Sequence, residues 1–237
     1  SKRRSRLGDD AEDDLAVAVA DITPAYTNSQ SGRGSFADRT RRVERMWRVF
    51  GYDRINNAVV VFDDVAATRA EFRKRWLLHS IEPPILGPDR FDLFIPANQN
   101  PGRSGGRLHG YVLLPREPML NSIGGPGFEF FVDGRNYDQD GSAQAAIAQL
   151  GHGRAEPGAW RIELMPLRDA REDQFLVVMF PTAAGASPAA SVRRIEADGR
   201  IGAEIAGPER TTRWWFTPGQ LGATVEVVGG STHHLNE

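Results

Sequence analysis

Five histidines are the first candidates for chemistry in this chain of 237 residues: His79, His109, His152, His233 and His234. None of them takes part in a His-x-His or His-Glu-x-x-His spacing, the patterns typical of zinc sites. The last two are adjacent, so their side chains point to opposite sides of an extended chain and make poor joint ligands. The chain contains no cysteine, which excludes thiolate nucleophiles, disulfides and cysteine-bound zinc. We therefore expect this chain to bind no cofactor.

A glycine-rich segment is the next candidate, but its context does not suit phosphate binding. Residues 123–128 are rich in glycine, but they contain no lysine and lead into an apolar run with a predicted strand over residues 127–132. A phosphate-binding loop needs a helix N-terminus at that point, so we expect the glycines to allow a tight turn or close backbone packing. There is no Gly-x-Ser-x-Gly elbow, and no spacing of carboxylates singles out a glycosidase pair.

His79 has the most informative surroundings of the five histidines. It lies in the apolar stretch Trp-Leu-Leu-His-Ser, residues 76–80, just before a Pro-Pro stop. In a strand over residues 73–80 it shares one face with Arg73 and Arg75, while the alternate apolar side chains point the other way. Such a basic face suits an anionic sugar, so His79, Arg75 and Arg73 are the candidate substrate-cleft residues. The competing interpretation, which the sequence favours, is that the imidazole packs in the core.

Short β-type runs separated by Gly, Pro, Asn and Asp dominate the rest of the chain. Residues 58–65 begin with a continuous apolar run, which is typical of a strand buried on both faces. The Asp198-Gly199 pair predicts a hairpin between two strands. Residues 143–150 have helix-like spacing and are equally compatible with a loop insertion. The other predicted strands are 14–22, 40–50, 73–80, 108–114, 160–165, 174–180, 191–197, 201–205, 211–216 and 224–228.

These strands predict an all-β fold, a large antiparallel β-sandwich with a smaller C-terminal β layer. Residues 1–13 read as a charged segment, and residues 14–180 as the main sandwich. Residues 181–237 supply the terminal strands of the same sandwich or of a small accessory layer. They include an Ala-, Gly-, Ser- and Pro-containing linker or wide loop over residues 183–190. No apolar run is long enough to span a bilayer, and a net charge of −2 gives no basic footprint for nucleic acid.

The order of several motifs resembles the β-sandwich region of heparinase II/III-like polysaccharide lyases. The motifs follow one another over residues 14–180. They are Ala-Asp-Ile-Thr-Pro-Ala-Tyr (20–26), an arginine-led strand (41–49), Val-Val-Val-Phe-Asp-Asp-Val (59–65), Trp-Leu-Leu-His-Ser (76–80), residues 106–115, residues 123–132, Pro-Gly-Ala-Trp-Arg-Ile-Glu-Leu-Met-Pro (157–166) and Asp-Gln-Phe-Leu-Val-Val (173–178).

The resemblance implies an enzyme that cleaves a uronic-acid-containing polysaccharide by β-elimination. In that reaction a base removes the proton next to the carboxylate, the carboxylate charge is neutralised, and an acid assists the leaving oxygen. The family joins an α/α toroid, which carries catalytic Asn, His and Tyr residues, to this kind of sandwich. An early sandwich segment with paired histidines adds a catalytic histidine and, in some members, a metal site.

Nothing in residues 1–237 matches the catalytic segments of the family, so the resemblance carries no catalytic or metal residue over to this chain. We expect the chain to be the C-terminal sandwich portion of such a lyase and to be inactive without its toroid. The expected partners are that toroid and an acidic polysaccharide. A divalent metal in the parent protein and a periplasmic or secreted location are further implications of the resemblance.

A second hypothesis is a non-catalytic carbohydrate-binding or assembly module. It depends on exposed aromatic residues of the sandwich, for which Trp214 and Trp215 are the candidates, although both are also suited to a core or an interdomain contact. Glycan binding without cleavage would distinguish this module from a lyase portion. A third possibility is that the chain is unstable alone, because a sandwich that lacks strands exposes edges and apolar surface.

Overall fold

The computed structural model of the protein describes residues 14–27, 42–97, 104–137, 143–144 and 158–235. These residues form eighteen strands and one short helix, α1 (Pro24–Thr27). The strands are β1 (Leu15–Asp21), β2 (Val43–Asp53), β3 (Ala58–Ala67), β4 (Trp76–Ser80), β5 (Ile85–Leu86), β6 (Arg90–Ile95), β7 (Gly106–Leu114), β8 (Pro118–Gly124), β9 (Phe131–Val132), β10 (Arg135–Tyr137), β11 (Ala143–Gln144), β12 (Trp160–Pro166), β13 (Glu172–Ala183), β14 (Ser191–Ala197), β15 (Arg200–Ala206), β16 (Thr211–Phe216), β17 (Ala223–Val227) and β18 (Thr232–Leu235).

The strands form three stacked layers, and each pairing between them is antiparallel. The middle sheet has seven strands in the order β1-β2-β3-β13-β7-β6-β5. A five-stranded sheet, β14 to β18 in sequence order, covers one of its faces, and a three-stranded sheet, β4-β12-β8, covers the other. A further small sheet joins β9, β10 and β11. The prediction of an all-β antiparallel sandwich is confirmed.

The central strands of the middle sheet are apolar on both faces because each face borders a separate core. In β3, Val60 and Phe62 belong to the core shared with the five-stranded sheet, whereas Val61 and Val65 belong to the core shared with the three-stranded sheet. The same alternation runs through β13. A strand buried on both sides loses the usual apolar and polar alternation. The continuous apolar run that begins this segment, residues 58–62, was therefore a correct indication of two-sided burial.

The first core lies between the middle and five-stranded sheets and is centred on Trp214, which is fully buried. Phe62 and Phe216 stack across the layers with ring centroids 4.2 Å apart. Gly51 in β2 makes room for the indole, since a Cβ there would lie 2.3 Å from Cζ3 of Trp214. The absence of a side chain at this position thus allows the two sheets to approach each other closely.

The second core lies between the middle and three-stranded sheets. It contains Trp76 of β4, Ile162 and Leu164 of β12, and Phe91 of β6. The Phe91 ring lies on Gly110, where a Cβ would come within 2.1 Å of its Cζ. These contacts hold β4 and β12 against the middle sheet, and they fix which side chains of the two strands face outward.

The hairpin at Asp198-Gly199 is confirmed, because both residues have positive φ angles, 51° and 73°, and the flanking strands pair directly. The strand predicted over residues 127–132 is wrong in most of its length. There, β8 ends at Gly124, and only Phe131–Val132 is extended. The chain turns because Gly125 and Gly127 adopt positive φ angles of 84° and 85°, which favour glycine.

Several strands were missed, namely β5, β6, β8, β10 and β18, all of them short or poor in β-branched residues. The first two residues of the possible helix over 143–150 lie in β11, so they are not helical, and the other six lie outside the described residues. The charged segment 1–13 also lies outside them. Among the described residues, no helix has the length and apolar character needed to cross a membrane.

Candidate functional site

The outer face of the three-stranded sheet carries the residues that sequence analysis singled out on β4. Trp76 points into the second core, so the alternation of the strand directs Leu77 and His79 away from it. Pairing then places His79 opposite Arg161 of β12, and Leu77 opposite Glu163. Arg75, which precedes the strand, is exposed and lies 3.9 Å from Glu163, measured from Nε to Oε2.

His79 is exposed, so the interpretation that its imidazole packs in the core is wrong. Two features of β4 explain this position. The strand lies at the edge of its sheet, and His79 falls on the side turned away from the middle sheet. The imidazole therefore stands on the surface beside a charged neighbour.

A buried ion pair lies at the centre of this outer face. Arg161 donates hydrogen bonds from Nε and Nη2 to Oε1 of Glu163, at 2.9 and 2.7 Å. Its Nη2 also donates to the carbonyl oxygen of Phe131 at 2.8 Å. The two side chains are only 9% and 6% exposed, because the chain around Phe131 covers them. Sequence analysis missed this pair, although two charges alternating within the apolar run of β12 were a usable signal.

Arg73 lies apart from the other two candidates, at one end of the sheet. Its Nε donates to Oδ1 of Asp169 at 3.1 Å, and it borders a small pocket that Lys74 and Arg168 also line. Inside this pocket Nζ of Lys74 lies 2.9 Å from Oδ2 of Asp173. Burial raises the pKa of Asp173, and the hydrogen bond and charge of Lys74 oppose that shift. The structure therefore brings Arg75 and His79 to one face, with Arg73 beside a separate, ion-paired pocket.

The chemistry that this face offers is binding of an anionic group. Arg75 and His79 are exposed, and Glu163, the carboxylate beside Arg75, already accepts two hydrogen bonds from Arg161. Arginine is well suited to a carboxylate or sulfate, since its planar guanidinium can donate two parallel hydrogen bonds. An acidic sugar placed on this face would meet N–H donors rather than free carboxylates.

A second histidine forms an arrangement that resembles a catalytic triad but joins strands instead. Nδ1 of His109 lies 2.6 Å from Oδ1 of Asp92, and its Nε2 lies 3.2 Å from Oγ1 of Thr182. The Thr182 hydroxyl donates its proton to the carbonyl oxygen of Ala186 at 3.2 Å. Because that proton is not directed at the histidine, the hydroxyl is not set up as a nucleophile. The contacts tie β6 and β7 to the end of β13.

In the part of the chain that the structure describes, no three His, Asp or Glu side chains converge to form a metal site. His233 and His234 point to different partners: Nε2 of the first lies 2.7 Å from Oγ of Ser231, and Nδ1 of the second lies 3.1 Å from Oγ1 of Thr224. The described residues thus do not fit the divalent metal that the resemblance implies for some parent proteins.

The two tryptophans of β16 have different roles. Trp214 is fully buried in the first core, so it is not an exposed aromatic. Trp215 points to the outer face of the five-stranded sheet and is partly exposed. Only Trp215 can therefore meet a ligand.

Comparison with known proteins gives a distant structural similarity. No family model matches the chain, and no curated protein matches it. The crystal structure of a heparan sulfate lyase HepC mutant from Pedobacter heparinus aligns with 100% of this chain and 28% of its own, at a TM-score of 0.47 and 11% identity. The crystal structure of heparinase III aligns with 99% of this chain and 27% of its own, at a TM-score of 0.45 and 10% identity.

The chain thus spans less than a third of the length of either protein. A TM-score below 0.5 at this level of identity does not assign the chain to the family of either enzyme.

Proposed function

We propose that this chain is the β-sandwich portion of a polysaccharide lyase that acts on an acidic, uronic-acid-containing glycan. The proton-transfer residues lie outside the chain, in an α/α toroid that packs against it, and the protein works in the periplasm or outside the cell. The motif order over residues 14–180 supports this proposal. The observation that carries it is the exposed basic character of Arg75 and His79 on one outer face.

The role of this face follows from the electrostatics of β-elimination. Removal of a proton next to a carboxylate builds negative charge, and cationic donors stabilise it best when they are held in place beforehand. Arg75 is held near Glu163, whose buried partner Arg161 is fixed by hydrogen bonds to that carboxylate and to the backbone. The face would therefore bind and orient the acidic sugars, and the toroid would supply the base and the acid.

Incubation of the purified chain with heparin, heparan sulfate and alginate tests this division of roles. We expect no increase in the absorbance of the unsaturated product, together with measurable binding of at least one acidic glycan. Arg75→Ala and His79→Ala should each weaken that binding severalfold, because each removes a donor from the face. Arg116→Ala is the matched control, since Arg116 is an exposed arginine at the turn between β7 and β8.

Two results would contradict the proposal. Turnover by the chain alone would show that the proton-transfer groups are within it. Binding that is unchanged in both variants, or absent for all three acidic glycans, would remove the substrate assignment of this face.

A further inference from the structure

The outer face of the five-stranded sheet carries an aromatic ring in an open cross-strand row. Pairing aligns Ile195, Gly202, Trp215, Thr224 and His234 across the five strands. Gly202 has no side chain, and a Cβ there would lie 3.3 Å from Cε3 of Trp215. Ile195 belongs to neither core and is still only 8% exposed, which is expected if the indole extends over Gly202 towards it. The ring therefore lies along the sheet instead of standing away from it.

A guanidinium group is stacked on this indole. Cζ of Arg200 lies 4.8 Å from the ring centroid of Trp215, which is a cation–π geometry. Arg200 directly follows the two-residue turn at Asp198-Gly199, so its backbone is fixed by the hairpin. Its ion-pair partner is Asp198, at 3.8 Å and highly exposed. Within the described residues, no hydrogen bond joins the Arg200 guanidinium to an acceptor.

The neighbouring row is a ladder of alternating charges that neutralises itself. Glu204 accepts hydrogen bonds from Nε of Arg193 at 2.7 Å and from Nε of Arg213 at 2.8 Å. Nη1 of Arg213 also donates to Glu226 at 3.4 Å. The hydrogen bond from Arg213, followed by that from Arg193, lowers the pKa of Glu204. Two arginines and two glutamates balance within this row, so the carboxylate beside Arg200 is the exposed Asp198, 3.8 Å away.

The ladder also holds the edge of the indole. Nε1 of Trp215 lies 3.5 Å from Oε2 of Glu226, so the ring is fixed at one end by the ladder and along its plane by Gly202. On the far side of the ring, Oγ1 of Thr224 and Nδ1 of His234 form a polar pair 3.1 Å apart. The site thus combines a fixed aromatic plane, a planar cation whose ion-pair partner Asp198 is highly exposed, and polar groups at the rim.

From this combination we propose that Trp215 and Arg200 form a binding site for a uronic-acid residue of a glycan, separate from the face of β4. The guanidinium donates two hydrogen bonds to the sugar carboxylate, and the C–H face of the ring packs on the exposed part of the indole. Thr224 and Glu226 lie within the same patch and can bond to hydroxyl groups. The site requires no catalytic activity, so it stands whether or not the protein is a lyase.

Titration calorimetry with oligosaccharides of equal length tests this site in the intact chain. The probes are an oligomer of uronic acids and a neutral oligomer of glucose, with glucuronic acid alone as a third probe. We expect the uronic-acid oligomer to bind and the neutral one to bind at least tenfold more weakly. Arg200→Ala and Trp215→Ala should each weaken the uronate binding about tenfold, which corresponds to about 1.4 kcal/mol. Arg200→Lys should not restore it, because an ammonium cannot form the planar pair.

Controls separate this site from the face of β4. Arg116→Ala should leave uronate binding unchanged, and circular dichroism should show that Trp215→Ala is folded. The proposal is overturned if Arg75→Ala abolishes binding while Arg200→Ala does not, a result that would leave the proposed function intact. The proposal is also overturned if the neutral oligomer binds as tightly as the uronic-acid oligomer. The same holds if Arg200→Ala binds glucuronic acid as tightly as the natural chain does. If Arg75→Ala and His79→Ala leave glycan binding unchanged while Arg200→Ala and Trp215→Ala weaken it, the proposed function is rejected and this site is supported.

Discussion

Asp53 is a fully buried carboxylate that links the turn after β2 to the five-stranded sheet. It accepts hydrogen bonds from Nη2 of Arg210 and Oγ1 of Thr212, both at 2.9 Å. It also accepts one from the backbone N–H of Asn56 and one from Nδ2 of the same residue. A buried charge of this kind is tolerated because every neighbour is a donor.

Asp53→Ala should destabilise the protein by about 3–5 kcal/mol, because it leaves the guanidinium of Arg210 partly buried without this acceptor. Urea denaturation measures the change in the free energy of unfolding. Glu71→Ala is the control: this carboxylate is 66% exposed and lies as far as 3.9 Å from its partner Arg69, so its removal should change stability by less than about 0.5 kcal/mol. A loss below about 1 kcal/mol for Asp53→Ala would contradict the importance of the buried network.

Asp63 and Arg48 form a two-fold hydrogen-bonded pair, with Nε to Oδ1 and Nη2 to Oδ2 both at 2.6 Å. The pKa values of the two partners lead to opposite conclusions about the pair. Hydrogen bonding to Asp63 raises the pKa of Arg48, which favours the ionised pair, whereas burial raises the pKa of Asp63, which disfavours it. Burial prevails at the carboxylate, because the Asp63 side chain is 2% exposed and that of Arg48 is 40% exposed.

The raised pKa of Asp63 predicts how stability changes with pH. The folded protein holds the proton of Asp63 more tightly than the unfolded chain does. This residue's contribution to stability is therefore lost as pH rises from about 4, near the unfolded pKa, through the raised pKa of the folded state. The unfolding free energy of the natural chain minus that of Asp63→Asn should therefore fall over this range and then stay constant. Urea midpoints from pH 4 to 8 measure it, with Glu71→Gln, a substitution at an exposed carboxylate, as the control. A difference that grows with pH would show that the ion pair, not burial, dominates.

At the scale of residues, sequence reasoning found β4 but favoured burial of His79, which is exposed. The alternation of the strand gave the correct face for Arg75 and His79. Whether that face lay against a core depended on β12, which pairs with β4, and on β8, which pairs with the other edge of β12. Both strands come from distant parts of the chain. The Arg161–Glu163 pair was missed for the same reason, because its burial depends on cover from the chain around Phe131.

At the scale of elements, β2 and β16 come close because Gly51 leaves space for Trp214. Gly51→Ala should lower the free energy of unfolding by about 1–3 kcal/mol, since the added methyl group overlaps the indole in a packed core. Chemical denaturation followed by tryptophan fluorescence measures this. Gly185→Ala is the control: a Cβ there meets nothing within 4 Å, and the change should be neutral or slightly stabilising. Equal stability of both variants would contradict the close packing of these two strands.

Elements were predictable where the local pattern and the tertiary environment agreed. The run over residues 58–62 is apolar because two cores require it, and the Asp198-Gly199 turn has the φ angles that those residue types favour. Residues 127–132 show the opposite case. Their aromatic content suggested a strand, but the positive φ angles at Gly125 and Gly127 set the path of the chain. A Cβ on the preceding Gly124 would also lie only 2.3 Å from the carbonyl oxygen of Ala159.

At the scale of the molecule, the two cores share one sheet and should lose stability together. Leu164→Ala lies in the core of the three-stranded sheet and Ile205→Ala in that of the five-stranded sheet, and each residue is fully buried. Each substitution should cost about 2–5 kcal/mol. Because β3 and β13 contribute to both cores, hydrogen exchange should show loss of protection in β12 and in β15 for either variant.

Val228→Ala provides the reference for this experiment, since Val228 is 42% exposed and should leave exchange unchanged in both sheets. Loss of protection confined to the sheet that carries the substitution would show that the layers open independently. In that case each outer sheet would be able to unfold while the middle sheet stays folded.

A middle sheet that is covered on both sides leaves the outer surfaces as the places where natural variation is tolerated. A substitution in β3 or β13 disturbs one of the two cores, whereas one on the outer row of β4 or β16 changes surface chemistry alone. Homologous proteins of this architecture should therefore keep the residues of the middle sheet and differ at positions such as His79, Arg200 and Trp215. Divergence of ligand preference can then proceed independently on two opposite surfaces while the interior stays the same.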